Sequence, residues 1–367
     1  MLIENLLLKG GAAPVVIQNL LYVWGHNVSG QIGDNTTTAK SSPVALGSLS
    51  WKFVHSHFSG TCAAAIRSDD LLFTWGSNFG GTLGDGTTLS RSSPVQIGSG
   101  TWSRVSVSGR GCLAIKTDGT LWGWGQNNYG SVGDGTTINR SSPVQIGSSS
   151  WSWISTGESH CLGISGGRLF GWGFNTNGQL GTGNTTRRSS PQQIGALTTW
   201  NRAAAGQNYS MATNTAGNLF TWGGNASGQL GNNNTNSRSS PVVVGGVQYQ
   251  DISAGRLCSA ALRTAAGGGQ LYTWGNNDSG QLGQGTTLNR SSPIQVTGSW
   301  SQISVGYRHM AGMKFPSNTI WTWGNNQYGH LGSGTTTNRS SPVQVGAKSW
   351  IIISAGRNTT AGITSIE

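Results

Sequence analysis

Short apolar runs separated by glycine-rich polar turns extend along almost the whole chain. Residues 71–75 (LLFTW) and 271–274 (LYTW) carry the aromatic and β-branched side chains that are typical of strands. The Asn-x-x-Gly and Gly-Asp-Gly stretches that follow such runs are turn sequences, because glycine adopts positive backbone angles without a steric penalty. Beyond the first few residues, no helical periodicity of useful length occurs. The pattern predicts an all-β protein.

The same pattern returns in seven units of similar length. A Trp-Gly dipeptide recurs at steps of 48 to 52 residues, at Trp24, Trp75, Trp124, Trp172, Trp222, Trp274 and Trp323. In every unit an asparagine follows the tryptophan by 3 residues, glycines by 6 and 9, a cation by 16 and a proline by 19. A period of about 50 residues is typical of propellers and other repeat arrays. One four-stranded unit cannot bury both of its faces, so radial stacking of the units would create the core.

The best-defined unit spans residues 271–296 (LYTWGNNDSGQLGQGTTLNRSSPIQV), followed by Trp300 and by ISVG at 303–306. It resembles the RCC1 repeat, which is named after the regulator of chromosome condensation, and the resemblance covers residues 20–364 in seven copies. The resemblance implies one seven-bladed β-propeller domain, residues 20–367, although the length alone would suggest about two domains. We expect the strand at Leu21 to pair with the C-terminal strand near residues 360–363, so that the N- and C-terminal strands close the ring.

The positive charge does not favour nucleic acid as a partner. The net charge is +11, but seven of the 22 cations are the repeated residue sixteen positions after the tryptophan, which leaves 15 cations against 11 acidic residues. No Lys/Arg run or basic tail is present. We predict that the repeated cation bonds loop carbonyls within its own blade, because arginine is a rigid donor fork. A cationic rim for an acidic partner is the alternative.

Candidate chemistry is sparse. The four cysteines fall in four different units and lack the spacing of metal ligands: Cys62, Cys112, Cys161 and Cys258. We expect free buried thiols, because cysteine packs as a small apolar residue. Whether Cys112 and Cys161 lie close together is left open. His160 and His309 are expected to bond a neighbouring turn. No spacing nominates a carboxylate pair, a nucleophile elbow or a phosphate loop. We therefore predict no enzymatic activity, no cofactor and no metal site.

Variable loops are the better candidates for binding. After each Ser-x-Gly segment comes a short loop whose residues change from unit to unit, and the equivalent loops of a propeller lie on one face near its axis. Loops on a rigid scaffold usually carry function. The candidate partner-binding residues are Arg110, Glu158, Tyr209, Arg256, Tyr307, Arg308 and Arg357. An ordinary solvated loop is the alternative interpretation.

The N-terminal segment 1–19 does not fit the repeat. It is apolar but too short to span a bilayer, and it lacks the basic start and the cleavage site of a signal peptide. We predict an assembly arm that docks on its own propeller or on a neighbouring subunit of a homo- or hetero-oligomer, and no membrane insertion. The residues expected to anchor it are Leu2, Ile3, Leu6, Leu7 and Leu8.

Three classes of function remain open. The first is a phage virion component, associated with the tail or the capsid, that binds other virion or assembly proteins and a host-surface glycan or receptor. Near-identical units rich in Gly, Ser, Thr and Asn, with 9% charged residues, favour this class and a location in the virion. The second is a bacterial secreted or surface propeller that binds a glycan or a protein.

The third class is an RCC1-like guanine-nucleotide exchange or chromatin-binding factor. The resemblance implies that this role depends on an inserted wedge and a basic tail. Units of 48 to 52 residues leave no room for a large insertion, and no basic tail is present. The sequence therefore favours the first two classes.

Overall fold

Seven four-stranded antiparallel sheets surround a central axis. The computed structural model describes residues 18–263, 265 and 267–366. Each sheet begins with an inner strand at the axis, continues through two middle strands and ends with an outer strand. The last part of the outer strand leads into the inner strand of the next blade, and in three places one long strand serves both blades. The predicted all-β, seven-bladed propeller is confirmed.

The strands β1–β25 are grouped here by blade, from the inner to the outer strand. Blade 1 contains β24 (Trp350–Ala355), β25 (Thr359–Ile366), β1 (Gln18–Gly25) and the first part of β2 (Lys40–Ser56); blade 2 contains the rest of β2, β3 (Cys62–Arg67), β4 (Leu71–Gly76) and the first part of β5 (Arg91–Val107); blade 3 contains the rest of β5, β6 (Gly111–Lys116), β7 (Thr120–Gly125) and β8 (Arg140–Ser150). Blade 4 contains β9 (Trp153–Thr156), β10 (His160–Ser165), β11 (Arg168–Gly173) and β12 (Arg188–Gln193); blade 5 contains β13 (Trp200–Ala205), β14 (Tyr209–Asn214), β15 (Asn218–Gly223) and β16 (Arg238–Gln248). Blade 6 contains β17 (Asp251–Ala254), β18 (Cys258–Arg263), β19 (Gly269–Gly275) and the first part of β20 (Arg290–Val305); blade 7 contains the rest of β20, β21 (His309–Lys314), β22 (Ile320–Gly324) and β23 (Arg339–Gln344). A single 3-10 turn, Phe79–Gly81, interrupts the β structure of the described residues.

Blade 1 closes the ring with strands from both ends of the chain. β1 pairs with β25 without a register shift, from Gln18 opposite Ile366 to Gly25 opposite Thr359. The predicted pairing of the N- and C-terminal strands is therefore confirmed. β1 begins at Gln18, two residues inside the segment 1–19 that the sequence assigns to the arm.

The rest of the arm lies outside the described residues. This holds for all of its proposed anchoring side chains: Leu2, Ile3, Leu6, Leu7 and Leu8. Their role stays a prediction.

The repeated tryptophans are completely buried where neighbouring blades meet. All seven are 0% exposed. In six units the indole Nε1 donates a hydrogen bond of 2.8–3.0 Å to a loop carbonyl of the preceding blade; Trp172, for example, donates to Ser131 O at 3.0 Å. The glycine nine positions after the preceding tryptophan lies against this indole, and a Cβ on Gly133 would stand 2.8 Å from Trp172 Nε1. The glycine is thus required by the close approach of the next blade.

The repeated asparagine holds the loop that receives the tryptophan. Asn27 is 0% exposed, donates from Nδ2 to Thr36 O at 3.0 Å, and accepts the Ile32 N–H at 2.9 Å. The other six units contain the same pair of bonds at the corresponding positions. One amide side chain therefore satisfies buried loop backbone groups that would otherwise lack partners.

In the described bonds the partner of the repeated cation is a side chain and not a loop carbonyl, so that prediction was wrong. Its partner is the side chain ten positions after the tryptophan: Arg91 Nε donates to Asp85 at 2.9 Å and Arg140 Nε donates to Asp134 at 2.8 Å. A carboxylate offers arginine a charged acceptor, which is stronger than a neutral carbonyl. Four units have no acid at that position. Arg290 is half-buried there and donates from Nε to Gln284 Oε1 at 3.3 Å, whereas the other three cations are exposed and have no ion pair among the described residues: Arg188, Arg238 and Arg339.

The cysteines and two histidines complete the contacts between blades. The four cysteines are free and buried, as predicted, and burial raises the pKa of Cys62 to about 12. Cys112 and Cys161 occupy equivalent positions, each opposite a repeated tryptophan. His160 Nε2 lies 2.9 Å from Ser210 Oγ, and His309 Nε2 lies 3.0 Å from Thr360 Oγ1. Both partners are on strands of the next blade, not on a turn as predicted, because the histidine begins a strand that faces that blade.

Ring closure can be tested by truncation. A chain that ends at Asn358 lacks β25, so β1 loses its partner and blade 1 presents an open edge. An unpaired edge strand promotes association, so we expect oligomers in size-exclusion chromatography and a lower melting temperature. Removal of Glu367 alone leaves β25 intact and serves as the control. A monomeric truncated chain with an unchanged melting temperature would contradict the closure.

The tryptophan–glycine contact can be tested with two matched glycines. Gly133 (φ 90°) and Gly147 (φ 60°) both have positive φ, but a Cβ on Gly147 would meet nothing within 4 Å. Both alanine variants lose about 1–2 kcal/mol to the left-handed backbone. Only Gly133→Ala also displaces Trp172, which we expect to cost about 1–3 kcal/mol more, as overpacking does. Urea unfolding measures the difference, and equal losses would show that the contact is not tight.

Candidate functional site

The loops that follow the seven inner strands lie together at one end of the axis. Neighbouring loops contact each other directly: Gln207 N donates to Gly255 O at 3.2 Å, and Tyr307 N donates to Gly356 O at 3.1 Å. We call this end the loop face; its loops are residues 57–61, 108–110, 157–159, 206–208, 255–257, 306–308 and 356–358. The prediction that the variable loops surround the axis on one face agrees with this arrangement.

Three arginines from three consecutive blades gather around one tyrosine on the loop face. The Cζ atoms of Arg256, Arg308 and Arg357 lie 4.5, 5.9 and 5.7 Å from the ring centroid of Tyr307. These distances are within the range of cation–π attraction. Arg308 and Arg357 are exposed, whereas Tyr307 and Arg256 are half-buried. We call these four residues the arginine–tyrosine patch.

The positive charge of the patch is not balanced by its described neighbours. None of the six ion pairs in the described part of the chain includes a patch arginine. Arg256 Nε is buried and has no hydrogen-bond partner there. Burial, and next the charge of Arg357, lower the pKa of His26, whose ring centroid lies 4.3 Å from that of Tyr328. The patch therefore favours an anionic group that would accept the free guanidinium donors.

The other predicted residues on the loop face lie apart from this patch. The Cζ of Arg110 is 5.7 Å from the ring centroid of Tyr129. The Tyr129 and Phe174 rings are tilted to each other with their centroids 4.8 Å apart, so a second aromatic cluster spans blades 3 and 4. Glu158 is half-buried in the loop of blade 4 and belongs to none of the six described ion pairs.

Tyr209 is not on the loop face, so its expected placement needs correction. It is 0% exposed in β14, and its hydroxyl donates to Cys258 O at 2.7 Å. Ser259 donates back to the same hydroxyl at 2.8 Å. Burial raises the pKa of Tyr209. The ring is buried because its position begins a strand that packs against blade 6, a contact the loop pattern did not reveal.

A cavity on the axis contains functional candidates that the sequence analysis missed. The inner strands place one residue of each blade at the same level, two positions after the second aromatic of each unit: Phe53, Arg104, Trp153, Arg202, Asp251, Gln302 and Ile352. Below these side chains lies the axial cavity, with a volume of about 280 Å³. The Cζ atoms of Arg104 and Arg202 lie 4.1 and 4.9 Å from the Trp153 ring, and Arg202 Nη1 is 3.7 Å from Asp251 Oδ1.

Polar side chains one level deeper join the inner strands to one another. Each accepts a backbone N–H of the next blade at 2.8–3.2 Å: His55, Ser106, Ser155, Ser253, Ser304 and Ser354. Ala204 occupies the seventh position and has no such acceptor. The cavity wall is therefore held in place by bonds between blades.

A two-residue insertion closes the axis at the loop face. Trp51 and Cys62 are 11 residues apart, whereas the corresponding pair in each other blade is 9 apart, as with Trp102 and Gly111. His57 in this longer loop reaches from blade 2 to blade 4, where its Nε2 donates to Thr156 O at 2.8 Å. The ring of Phe58 lies 4.0 Å from that of His57 and is 2% exposed. The repeat spacing contained this signal, because no other unit is longer at this point.

Within residues 18–263, 265 and 267–366, no helix combines the length and the apolar character needed to cross a membrane. In the same ranges, no group of three His, Cys, Asp or Glu side chains is placed to hold a metal ion.

Family models match the repeats directly. The regulator of chromosome condensation (RCC1) repeat model matches residues 69–115, 118–164, 166–213, 216–262, 268–313 and 317–363, and a second model of the same repeat matches residues 102–131. The rat protein Alsin is 30% identical over 100 residues, which is 25% of this chain and 6% of Alsin. Mouse Alsin is 29% identical over the same share. The chain thus spans only 6% of the length of these curated relatives.

Solved structures share the whole fold at low sequence identity. Human WBSCR16 has a TM-score of 0.85 at 19% identity, covering 94% of this chain and 98% of that chain. Yeast RCC1 (Prp20), solved with Kap60 bound, has a TM-score of 0.84 at 17% identity, covering 96% and 90%. Prp20p of Saccharomyces cerevisiae has a TM-score of 0.83 at 18% identity, covering 96% and 93%. At such identities the likeness shows the fold alone.

Buried histidines predict acid sensitivity. Burial lowers the pKa of His160 to about 3 and that of His55 to about 4, and it also lowers the pKa values of His57, His309 and His330. The histidines of the unfolded chain take up protons near pH 6.5, whereas those of the folded chain do not. The free energy of unfolding therefore has its full value above that pH and decreases toward pH 4. Each such histidine contributes a slope of about 1.4 kcal/mol per pH unit.

Urea unfolding between pH 4 and pH 8 measures this loss. In His160→Gln the amide can still bond Ser210 but does not titrate, so the slope should decrease by the contribution of one proton. Stability that is constant from pH 4.5 to pH 7, or an unchanged slope in this variant, would contradict the prediction.

Proposed function

The chain belongs to the regulator of chromosome condensation (RCC1) repeat family, and from this premise we propose that it is a non-catalytic binding module whose loop face binds a protein with an acidic surface. The observation that carries the proposal is the arginine–tyrosine patch. Three guanidinium groups approach Tyr307 within 6 Å, and none of them belongs to a described ion pair.

The chemistry of the patch suits the recognition of carboxylates. Arginine binds carboxylates through two parallel hydrogen bonds, and arginine and tyrosine are enriched at the energetic centres of protein interfaces. The patch loops are attached to their own blades, because Asn325 N donates to Arg308 O at 2.8 Å and Asn276 N donates to Leu257 O at 2.9 Å. A patch that is already ordered loses little conformational entropy on binding.

The structural neighbours favour a protein as the partner. Yeast RCC1 was solved with Kap60 bound, and Prp20p is described with binding properties toward Gsp1p and histones. These partners belong to those proteins. They support the proposal because a protein with the same propeller fold binds other proteins. The dispersed charge of the present chain, without a basic run, does not favour nucleic acid.

The biological setting that we propose is a virion, in which the propeller would be a tail- or capsid-associated component that binds assembly proteins and a host-surface glycan or receptor. Its support is compositional: 59 glycines and 9% charged residues in near-identical units. A bacterial secreted or surface propeller is the alternative, and an exchange or chromatin-binding factor is the second alternative. Peptides of this chain in purified phage particles would support the virion, and their absence from particles of the phage that encodes it would refute it.

Charge-matched variants test the role of the patch. The probe is a fluorescein-labelled peptide of about twenty glutamates, titrated in low salt because surface attraction is screened over about 10 Å at 0.1 M salt. Replacing Arg256, Arg308 and Arg357 together with glutamine should weaken binding at least tenfold, or about 1.4 kcal/mol. Fluorescence anisotropy gives the affinity.

The control removes the same charge elsewhere on the molecule. Arg188, Arg238 and Arg339 are exposed members of the repeated cation without a described ion pair, and changing all three to glutamine should leave affinity within about twofold of the unmodified protein. Equal weakening by both triple variants would mean that net charge, not the patch, attracts the peptide. Tyr307→Leu, which keeps the charge, should weaken binding by a smaller factor if the ring positions the arginines.

A further inference from the structure

The axial cavity is separate from the arginine–tyrosine patch. His57 and Phe58 close the axis at the loop face, where they are 4% and 2% exposed. At the opposite end the side chains of Arg202 and Asp251 are 36% and 29% exposed. The cavity is thus blind toward the loop face and accessible from the other face of the propeller. A ligand would enter from the side away from the proposed protein partner.

The cavity wall contains more positive than negative charge. Arg202 pairs with Asp251 at 3.7 Å, but Arg104 has no ion pair among the described residues. Burial lowers the pKa of Arg104, and the positive charge of Arg202 lowers it further. His55 beside it stays neutral, because burial and then Arg104 lower its pKa to about 4. A confined cation without a counter-charge is stabilised by an anion.

Several polar side chains of the wall also offer hydrogen-bond donors. In their described bonds, Ser155, Ser253 and Ser304 act only as acceptors of backbone N–H groups, so each hydroxyl hydrogen is available to the cavity. The Oε1 of Gln302 accepts the Ile353 N–H at 2.8 Å, which leaves its amide nitrogen as a donor. Carboxylates and phosphates offer only acceptors when ionised, so they complement such a wall.

The ring of Trp153 holds the guanidinium of Arg104 in position. The indole Nε1 is occupied by Ala203 O at 2.7 Å, which fixes the ring, and the guanidinium Cζ lies 4.1 Å from the ring centroid. A guanidinium that stacks on an aromatic face keeps its N–H donors, because they lie in its own plane. Little side-chain entropy would then be lost when an anion binds.

From these contacts we propose that the axial cavity binds one small oxyanion, a carboxylate or a phosphate, with Arg104 as its principal cation and the serine hydroxyls as further donors. The volume of about 280 Å³ is about nine times the roughly 30 Å³ that a water molecule occupies in the liquid. It therefore accommodates a small organic acid and excludes a folded partner. Asp251 opposes binding by occupying Arg202.

Calorimetric titration with sodium phosphate, and separately with sodium acetate, tests the proposal in low-chloride buffer. We expect one site per chain. Arg104→Gln should weaken it at least tenfold, and Asp251→Asn should tighten it, because the carboxylate no longer competes for Arg202. The opposite directions of these two variants keep the test valid if one of them folds poorly. Comparing the two anions identifies the preferred chemistry.

Two controls separate this site from the loop face. Arg168→Gln changes an exposed arginine at the start of β11, and the Arg256/Arg308/Arg357 glutamine variant removes the charges of the arginine–tyrosine patch; both should bind the small anion as the unmodified protein does. Loss of binding in the patch variant alone would move the anion to the loop face and overturn the proposal. So would the absence of saturable binding of both anions, or binding that neither Arg104→Gln nor Asp251→Asn changes.

Discussion

The hydrogen bond from a buried tryptophan to a loop carbonyl of the preceding blade is the interaction on which the rest of this structure depends. It needs the indole at a blade interface, a glycine under the ring, and a loop held in shape by one asparagine. Trp172, Gly133 and Asn127 supply these parts between blades 3 and 4. Because each requirement is local to one pair of blades, six of the seven near-identical units form this bond in turn, whereas the buried indole of Trp24 has no described acceptor. The inner strands arrive at the axis in the same register.

That regularity makes the departures informative. Ala204 interrupts the polar residues that join the inner strands, and the insertion of His57 and Phe58 closes the axis at one end. Neither change disturbs the tryptophan contacts, because both lie inside the ring of blade interfaces. The scaffold therefore tolerates variation at the axis and on the loop face, where cations without an ion pair also occur. Arg104 and Arg256 are two such charges at opposite ends of the axis.

The two proposals assign anions of different size to the two ends of the axis. The arginine–tyrosine patch is an open surface on loops of three blades, suited to the carboxylates of a large partner. The axial cavity is narrow and lined by inner strands, so only a small ligand can use it. The two sites share no residue, and Phe58 and His57 lie between them. Occupancy of one site thus leaves the other free, which allows a bound protein and a small anion on the same propeller.

The sequence by itself determined the repeat, the strand content and the closure of the ring, because the repeated residues of each unit contact the adjacent units and recur at fixed spacing. The Trp24-Gly25 dipeptide marks the strand of the first unit, and this strand pairs with residues 359–366 as the repeat predicts. The tertiary structure alone decided which variable residues meet. Arg104, Trp153 and Arg202 are about fifty residues apart in turn and become neighbours only because all blades converge on one axis. Tyr209 occupies the strand start that His160 has in the preceding blade, and the adjacent blade buries its ring. Contacts between repeated residues can be predicted from the period of the sequence, whereas contacts at the axis depend on the arrangement of all seven blades.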